Sequence, residues 1–404
     1  MKILLITWAC DRDDVSEPQI TYHWVREISK RHEVTLFSVS RPERFGCVKE
    51  QFPSLQVVEW SDIKVPTFLE RFRAIAKPGY FFRFNKMRQM IKTLIEQQYF
   101  DIIHHLSPFA WRYASPAYGL GVPLVRGPIA GGLPTPPQLK AEVNETFHPY
   151  KFLRKTDELR KRLDQKLIQS YRHTDCVIVA APYVLKLLHP LSVQRVEVEI
   201  EHGLDPDNHH ACFVTSLLNN TAKTELLFVG RVIRTKGVRD AVRAISLMER
   251  KSQVHFTVIG DGEDLQDCKK MAIQLQVQNL ITFRGWCDRK HVERAYRQAD
   301  IFLFPSFREP TGGVLLEAMT FGLPIVACDY GGPAYLVNDS FGIKVQPAAA
   351  EEYAKKFAEN LDYLVDRPEV RKKMGQAACN QATAHFKWKD KMDRLDAIYA
   401  SLLR

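Results

Sequence analysis

No apolar run in the 404-residue chain approaches 18 residues, and it contains no Cys-x-x-Cys pair, no internal repeat of short period and no low-complexity segment. Without a long apolar run, a membrane-spanning helix is not expected. The eight cysteines stand singly, at Cys10, Cys47, Cys176, Cys212, Cys268, Cys287, Cys328 and Cys379. Scattered in this way, they are expected to be buried reduced thiols, which implies a reducing cytosol. No Gly-x4-Gly-Lys-Ser/Thr loop is present, so a P-loop nucleotidase is disfavoured. A glycine-rich dinucleotide fingerprint should follow the first strand, but Trp8-Ala9-Cys10-Asp11 stands there, which argues against a nicotinamide oxidoreductase.

What the chain does contain is ordinary in bulk. A hydrophobic content of 45% with 26% charged residues describes a soluble globular protein, not a disordered, collagen-like or coiled-coil one. The length suggests about two or three domains. Met1 to Trp8 resembles a secretion signal only superficially. Its apolar run is short, and Asp11, Arg12, Asp13 and Asp14 follow at once, so it reads as a buried first strand. The net charge of +10 suits anionic partners such as nucleotides, phospholipid head groups or nucleic acid, without choosing among them.

Short β-rich runs alternate with helical patterns, which predicts parallel sheets covered on both faces. The expected strands of the first half are Ile3–Ile6, Glu33–Ser38, Gln56–Glu59, Asp101–His104, Pro123–Val125, Cys176–Val179 and Glu197–Ile200. Helices are expected over Gln19–Arg31, Met87–Gln97 and Lys155–His173. A second series of strands covers Glu225–Val229, His255–Ile259, Leu280–Phe283, Ile301–Pro305 and Pro324–Cys328. Two strand-first halves predict an α/β protein of two Rossmann-like, doubly wound domains facing a cleft. The expected domains are residues 1–205 and 206–380. Residues 381–404 are expected to form a C-terminal helix packing back on the first domain. Turn residues between His202 and Asn219 mark the boundary.

Two segments of the second half carry chemistry. After the strand Glu225–Val229 comes Gly230-Arg231-Val-Ile-Arg-Thr-Lys236-Gly237. Arg231 and Lys236, five residues apart across a loop, suit convergence on one anion, a planar fork beside a compact charge. Alone, this octapeptide is equally compatible with a solvated basic turn. Further on, Phe304-Pro305-Ser306-Phe307-Arg308-Glu309-Pro310-Thr311-Gly312-Gly313 leads from a buried strand into a helix that carries Glu317. Thr311 or Gly312 can cap that helix and leave backbone N–H groups aimed at an anion. Glu309 and Glu317 suit hydroxyls on different rings of one ligand. Either acid alone is unremarkable, as a surface acid before Pro310 or a helix-dipole carboxylate.

Taken together, these segments resemble the donor domain of the GT-B glycosyltransferases of family 4, the large retaining family. Gly230-Arg231 with Lys236-Gly237 matches its strand-Gly-Arg-x4-Lys-Gly loop, and Gly260-Asp261-Gly262 its Gly-Asp-Gly turn. Glu309 to Glu317 matches its Glu-x7-Glu element, and Gly331-Gly332-Pro333-Ala334 its Gly-Gly-Pro-Ala. The match covers roughly residues 200–380. The resemblance implies a retaining, metal-independent hexosyltransferase without a cofactor, using a UDP- or GDP-type sugar as co-substrate; no Asp-x-Asp element is evident. Arg231 and Lys236 would neutralise the diphosphate, Glu309 would hold the transferred sugar and Glu317 the ribose. Gly230, Gly260, Gly262 and the backbone at Thr311, Gly312 and Gly313 would contact the donor, and the region of Phe283, Arg284 and Trp286 would frame the base.

The first half departs from the family pattern. The loop Ala9 to Pro18 lacks the usual Gly-Gly pair. His104 matches the first histidine of the family's Asp-x-x-His-x-His, but Leu106 occupies the second position. His104 and His105 point to opposite strand faces, so they are not equivalent; each reads as an acceptor-side contact or as a satisfied strand-end histidine. The usual histidine after the next strand is absent, which leaves Arg126, Gly131 and Gly132 as acceptor-side candidates. Tyr335 stands where relatives carry Glu.

Between Lys64 and Lys92 eight basic residues face one acid, Glu70, with Phe68, Phe72, Tyr80, Phe81, Phe82 and Phe84 interleaved. This stretch and the basic helix Lys151–Arg172 suit the anionic inner face of a membrane, or else an amphipathic helix with its aromatics packed inward. The expected partners are a nucleotide sugar, a glycan or lipid-linked acceptor and an anionic membrane, and not nucleic acid. A GT-B nucleotide-sugar epimerase and a catalytically impaired sugar-nucleotide-binding protein are the rival readings.

Overall fold

The computed structural model describes residues 1–14, 16–40, 47–66, 69, 72–73, 76–143, 156–204 and 223–403. The expected linker beyond Leu204, Cys212, Phe68, Glu70, Arg71 and residues 151–155 of the second basic helix lie outside them. The chain forms two compact units: residues 1–132, 145–201 and 389–404 in one, and 133–144 with 202–388 in the other.

The first unit holds seven parallel strands: β1 Lys2–Ile6, β2 Glu33–Ser40, β3 Gln56–Ser61, β4 Ile102–His105, β5 Leu124–Ile129, β6 Cys176–Val179 and β7 Val196–Val198, in the order β3-β2-β1-β4-β5-β6-β7. Every residue of β4, β5 and β6 is buried, as expected of central strands covered on both faces. The second unit holds β8 Thr224–Val229, β9 Val254–Ile259, β10 Ile281–Gly285, β11 Ile301–Phe304, β12 Ile325–Cys328 and β13 Gly342–Val345, in the order β10-β9-β8-β11-β12-β13. Counted from its own first strand, this is the 3-2-1-4-5-6 order of doubly wound dinucleotide folds.

All twelve expected strands are present; β13, in which Lys344 interrupts a four-residue run, was not anticipated. The expected helix over Lys155–His173 is two helices, Asp157–Leu163 and Gln165–Arg172. Asp164 separates them: its extended backbone ends the first, and its carboxylate accepts the Leu167 N–H at 3.2 Å to cap the second.

The last helix, Trp388–Leu402, contributes most of its length to the first unit. Lys391 is fully buried there, with its ammonium 5.4 Å from the Trp24 ring centroid, and donates to Glu199 at 2.6 Å and to the Ile200 carbonyl. Burial pulls its pKa down to about 8 against the pull of Glu199. Six cysteines are free thiols, with Cys47 and Cys287 only half-buried. Cys379, in the helix Pro368–His385, is disulfide-bonded. This corrects the expectation of reduced thiols throughout, because spacing along the chain does not reveal which distant thiols meet in space.

Candidate functional site

In a doubly wound sheet the loops on either side of the order reversal leave in opposite directions and open a crevice at the carboxyl ends of the strands. In the second unit the reversal lies between β8 and β11, which pair directly, Ile301 with Leu226 and Phe302 with Leu227. The loop after β8 carries Gly230 to Gly237, and the loop after β11 carries Pro305 to Gly312. The two segments singled out in the sequence therefore meet at the switch point of one sheet.

Their side chains confirm the meeting. Lys236 is ion-paired with Glu309, and its ammonium lies 5.7 Å from the Phe304 ring centroid. Glu309 is 8% exposed, and its other carboxylate oxygen accepts the Gly312 N–H at 3.2 Å. Gly237 makes the close approach of the two loops possible. Its φ of 77° is left-handed, and a Cβ there would overlap the Pro305 carbonyl. A third loop joins them where the Gly332 N–H donates to the Glu309 carbonyl at 2.9 Å. Gly312, with φ 88°, caps the helix Gly313–Thr320, whose first N–H groups lack intrahelical acceptors. Thr311 is buried beside it, and the His202 ring lies directly over Gly313.

Arg231 is exposed and has no ion pair among the described residues, so its guanidinium is available to an anion. Backbone bonds hold the turn beneath it. The Gly230 N–H donates to Ile259 O at 3.0 Å, Val232 N–H to Asp261 O at 2.9 Å and Gly260 N–H to Gly285 O at 2.8 Å. Gly260 lies so close to the Gly230 carbonyl that a side chain would overlap it. Gly262 likewise faces the Val232 carbonyl, so the Gly-Asp-Gly turn packs against the Arg231 loop.

Sequence reasoning missed the groups that hold this loop rigid. Arg234, between the two expected cations, is 8% exposed and binds both oxygens of the fully buried Asp240, at 2.6 and 3.1 Å, and Glu142 at 2.6 Å. Burial works against its charge, but Asp240 and Glu142 outweigh it and raise its pKa. Its role is to anchor the turn that presents Lys236. The only sequence signal was a third basic residue in the octapeptide; its acids lie 6 and 92 residues away.

Glu317 lies one turn into the helix and is partly exposed. It accepts from Arg289 at 2.8 Å, a partner that the spacing did not suggest. Arg284 is exposed at the end of β10, and Trp286 beyond it is 79% exposed. Among the described residues, no cluster of three or more His, Cys, Asp or Glu side chains could hold a metal ion.

The acceptor-side candidates of the first unit are placed differently. The His104 ring is fully buried with both nitrogens engaged, Nδ1 with the Tyr399 hydroxyl at 2.6 Å and Nε2 with the Gly127 carbonyl at 2.7 Å. Burial lowers its pKa to about 4, against a bond to Gly127 that raises it. His105 is on the opposite face, stacked on Tyr80, and burial followed by nearby Arg126 pushes its pKa well below the usual imidazole range. Arg126 is fully buried, lies 4.3 Å from the Tyr171 ring centroid and donates to the Tyr113 carbonyl. All three side chains are buried, because β4 and β5 lie centrally in a sheet covered on both faces. Of Gly131 and Gly132, at the end of the same segment, the first is half-buried and the second exposed. The Gly131 carbonyl accepts the Tyr183 hydroxyl at 3.1 Å.

Comparison with known proteins agrees with this architecture. The model of "Glycosyltransferase Family 4" matches residues 19–208, and that of "Glycosyl transferases group 1" matches residues 214–381. An α-D-kanosaminyltransferase of Streptomyces kanamyceticus is 28% identical over 179 residues, 44% of this chain and 45% of that protein. The lipopolysaccharide core biosynthesis glycosyltransferase LpsE of Rhizobium meliloti is 27% identical over 46% of this chain and 53% of its own length. The chain thus spans about half the length of the curated relatives it matches. Among solved structures, sucrose-phosphate synthase from Thermosynechococcus elongatus superposes with a TM-score of 0.68 at 18% identity, covering 99% of this chain and 98% of that one. Anabaena HepE in complex with UDP does so with a TM-score of 0.66 at 17% identity, covering 99% and 100%. With the two models covering successive halves and both sheets doubly wound, the chain belongs to the group 1 glycosyltransferases of GT-B fold.

Proposed function

We propose that the protein is a retaining glycosyltransferase that moves a hexose-type sugar from a nucleotide diphosphate sugar to a hydroxyl of a glycan or lipid-linked acceptor. The contact of Lys236 with Glu309 at the switch point carries this reading, because it sets a cation for phosphate beside an acid for sugar hydroxyls. Arg231 and Lys236 neutralise the charge that grows on the diphosphate as the sugar leaves, and the first N–H groups of the helix Gly313–Thr320 add to this. Donor binding draws Lys236 to phosphate and frees a Glu309 oxygen for the sugar. Glu317 holds the ribose hydroxyls, and Arg284 with Trp286 frames the base. The departing phosphate accepts the acceptor proton on the face it leaves, which preserves the anomeric configuration. Fixed cations take the place of a divalent metal. Solved neighbours hold UDP, or UDP with glucose, which favours a UDP-sugar donor.

The reaction takes place in the cytoplasm, on the inner face of a membrane. No described helix is long and apolar enough to cross a membrane. A panel of UDP- and GDP-sugars scored by thermal stabilisation, followed by transfer to lipid-linked acceptors, tests the reading. A donor that stabilises the protein and gives an α-linked product from an α-linked donor supports it. Turnover of donor without acceptor to an epimer, or binding without any transfer, contradicts it.

A further inference from the structure

The first unit exposes large apolar side chains where two helices lie side by side. Phe82 is 80% and Phe81 45% exposed at the start of the helix Pro78–Gln97, while Leu159 is 57% and Leu163 65% exposed on Asp157–Leu163. Arg160 of the second helix and Lys166 of the next one, Gln165–Arg172, reach the first. The Arg160 guanidinium lies 5.0 Å from the Phe81 ring centroid, and the Lys166 ammonium lies 5.0 Å from the Phe84 ring centroid and 3.2 Å from Asn85 Oδ1. Phe84 and Met87, on the other side of the first helix, are core. Of the aromatics in that stretch, Tyr80 and Phe84 are buried and Phe81 and Phe82 are exposed.

The unpaired charges around this apolar ridge are of one sign. Asp157, Glu158 and Asp164 are ion-paired to Arg112, Lys161 and Arg160, at 2.8, 2.6 and 2.8 Å. Lys86, Arg162 and Lys166 are exposed and Arg83 half-exposed, and among the described residues none of the four has an ion pair. Apolar side chains ringed by unmatched cations complement a surface that offers phosphate above and hydrocarbon beneath.

We propose that this two-helix ridge docks the protein on an anionic phospholipid bilayer, with Phe82 and Leu163 inserted among the acyl chains and Lys86, Arg162 and Lys166 at the phosphates. The assignment deepens the peripheral location proposed above and rests on it. The test is co-sedimentation of the full chain, without donor, with vesicles of phosphatidylglycerol and phosphatidylethanolamine or of phosphatidylcholine alone, at about 0.1 M salt. Binding to the anionic vesicles only is expected. The Lys86→Gln/Lys166→Gln variant should bind about 30-fold more weakly, and Phe82→Ser/Leu163→Ser at least about tenfold more weakly. Both should keep the wild-type affinity for UDP, which shows that they are folded. No binding, equal binding to both vesicle types, or binding unchanged in the double variants overturns the proposal, as does a dimer dispersed by Phe82→Ser/Leu163→Ser without any vesicle binding. UDP affinity, read without vesicles, tests the donor site separately, so failure of one reading leaves the other standing.

Discussion

His104 separates a core histidine from an acceptor ligand through pH. Its folded-state pKa of about 4 lies below the roughly 6.5 of an unfolded imidazole. Between those values the unfolded chain binds a proton that the folded chain refuses, so stability is full above pH about 6.5 and is lost as pH falls toward 4. At 1.36 kcal/mol per unit, the whole interval corresponds to about 3 kcal/mol, of which about 2.5 is lost by pH 4.5. The neutral ring is held by its geometry. The Nε2–H donates to Gly127 O, and Nδ1 accepts from the Tyr399 hydroxyl, whereas protonation puts a second N–H against that hydroxyl. His104→Gln removes the titration while keeping an amide that can donate to Gly127. Urea unfolding of wild type and variant at pH 7.5 and pH 4.5 measures the difference, since His105 and the carboxylates are common to both. The variant is expected to be less stable at pH 7.5 and to lose about 2.5 kcal/mol less on acidification. Parallel pH profiles, or a variant of unchanged stability whose acceptor KM rises, would refute a core role.

Further outcomes are expected at the donor site. Arg231→Ala and Lys236→Ala should each lower kcat/KM about 10- to 100-fold, mostly in kcat because the phosphate charge grows in the transition state; small, equal effects on kcat and KM would remove them from the mechanism. Glu309→Gln should impair sugar transfer while UDP, titrated calorimetrically, still binds within a few-fold. Arg234→Ala leaves the buried Asp240 without its main cation and should cost about 3–5 kcal/mol in urea unfolding. Turnover is expected to be unchanged by a metal chelator, and restoration by magnesium after chelation would show otherwise.

The strand pattern was legible because parallel strands buried on both faces are near-continuous apolar runs, as in Ile301–Phe304 and Ile325–Cys328. Gly342–Val345 escaped notice because an edge strand with Lys344 lacks that signature. The donor loops were legible because local order dictates their chemistry: glycine turns, paired cations and a helix start. What was not legible depends on distance along the chain. Arg234 is anchored by Glu142, Lys236 meets Glu309, and Glu317 meets Arg289, none of which has a local pattern. In the first unit the burial of His104 was not legible either, because its cover, Tyr399 of the last helix, lies 295 residues away.

The most direct test of the donor site is a crystal structure of the protein with UDP. The pyrophosphate is predicted within hydrogen-bonding distance of Arg231, Lys236 and the amides that begin the helix Gly313–Thr320, with the ribose on Glu317. A nucleotide bound elsewhere, with Lys236 still paired to Glu309, would contradict the account.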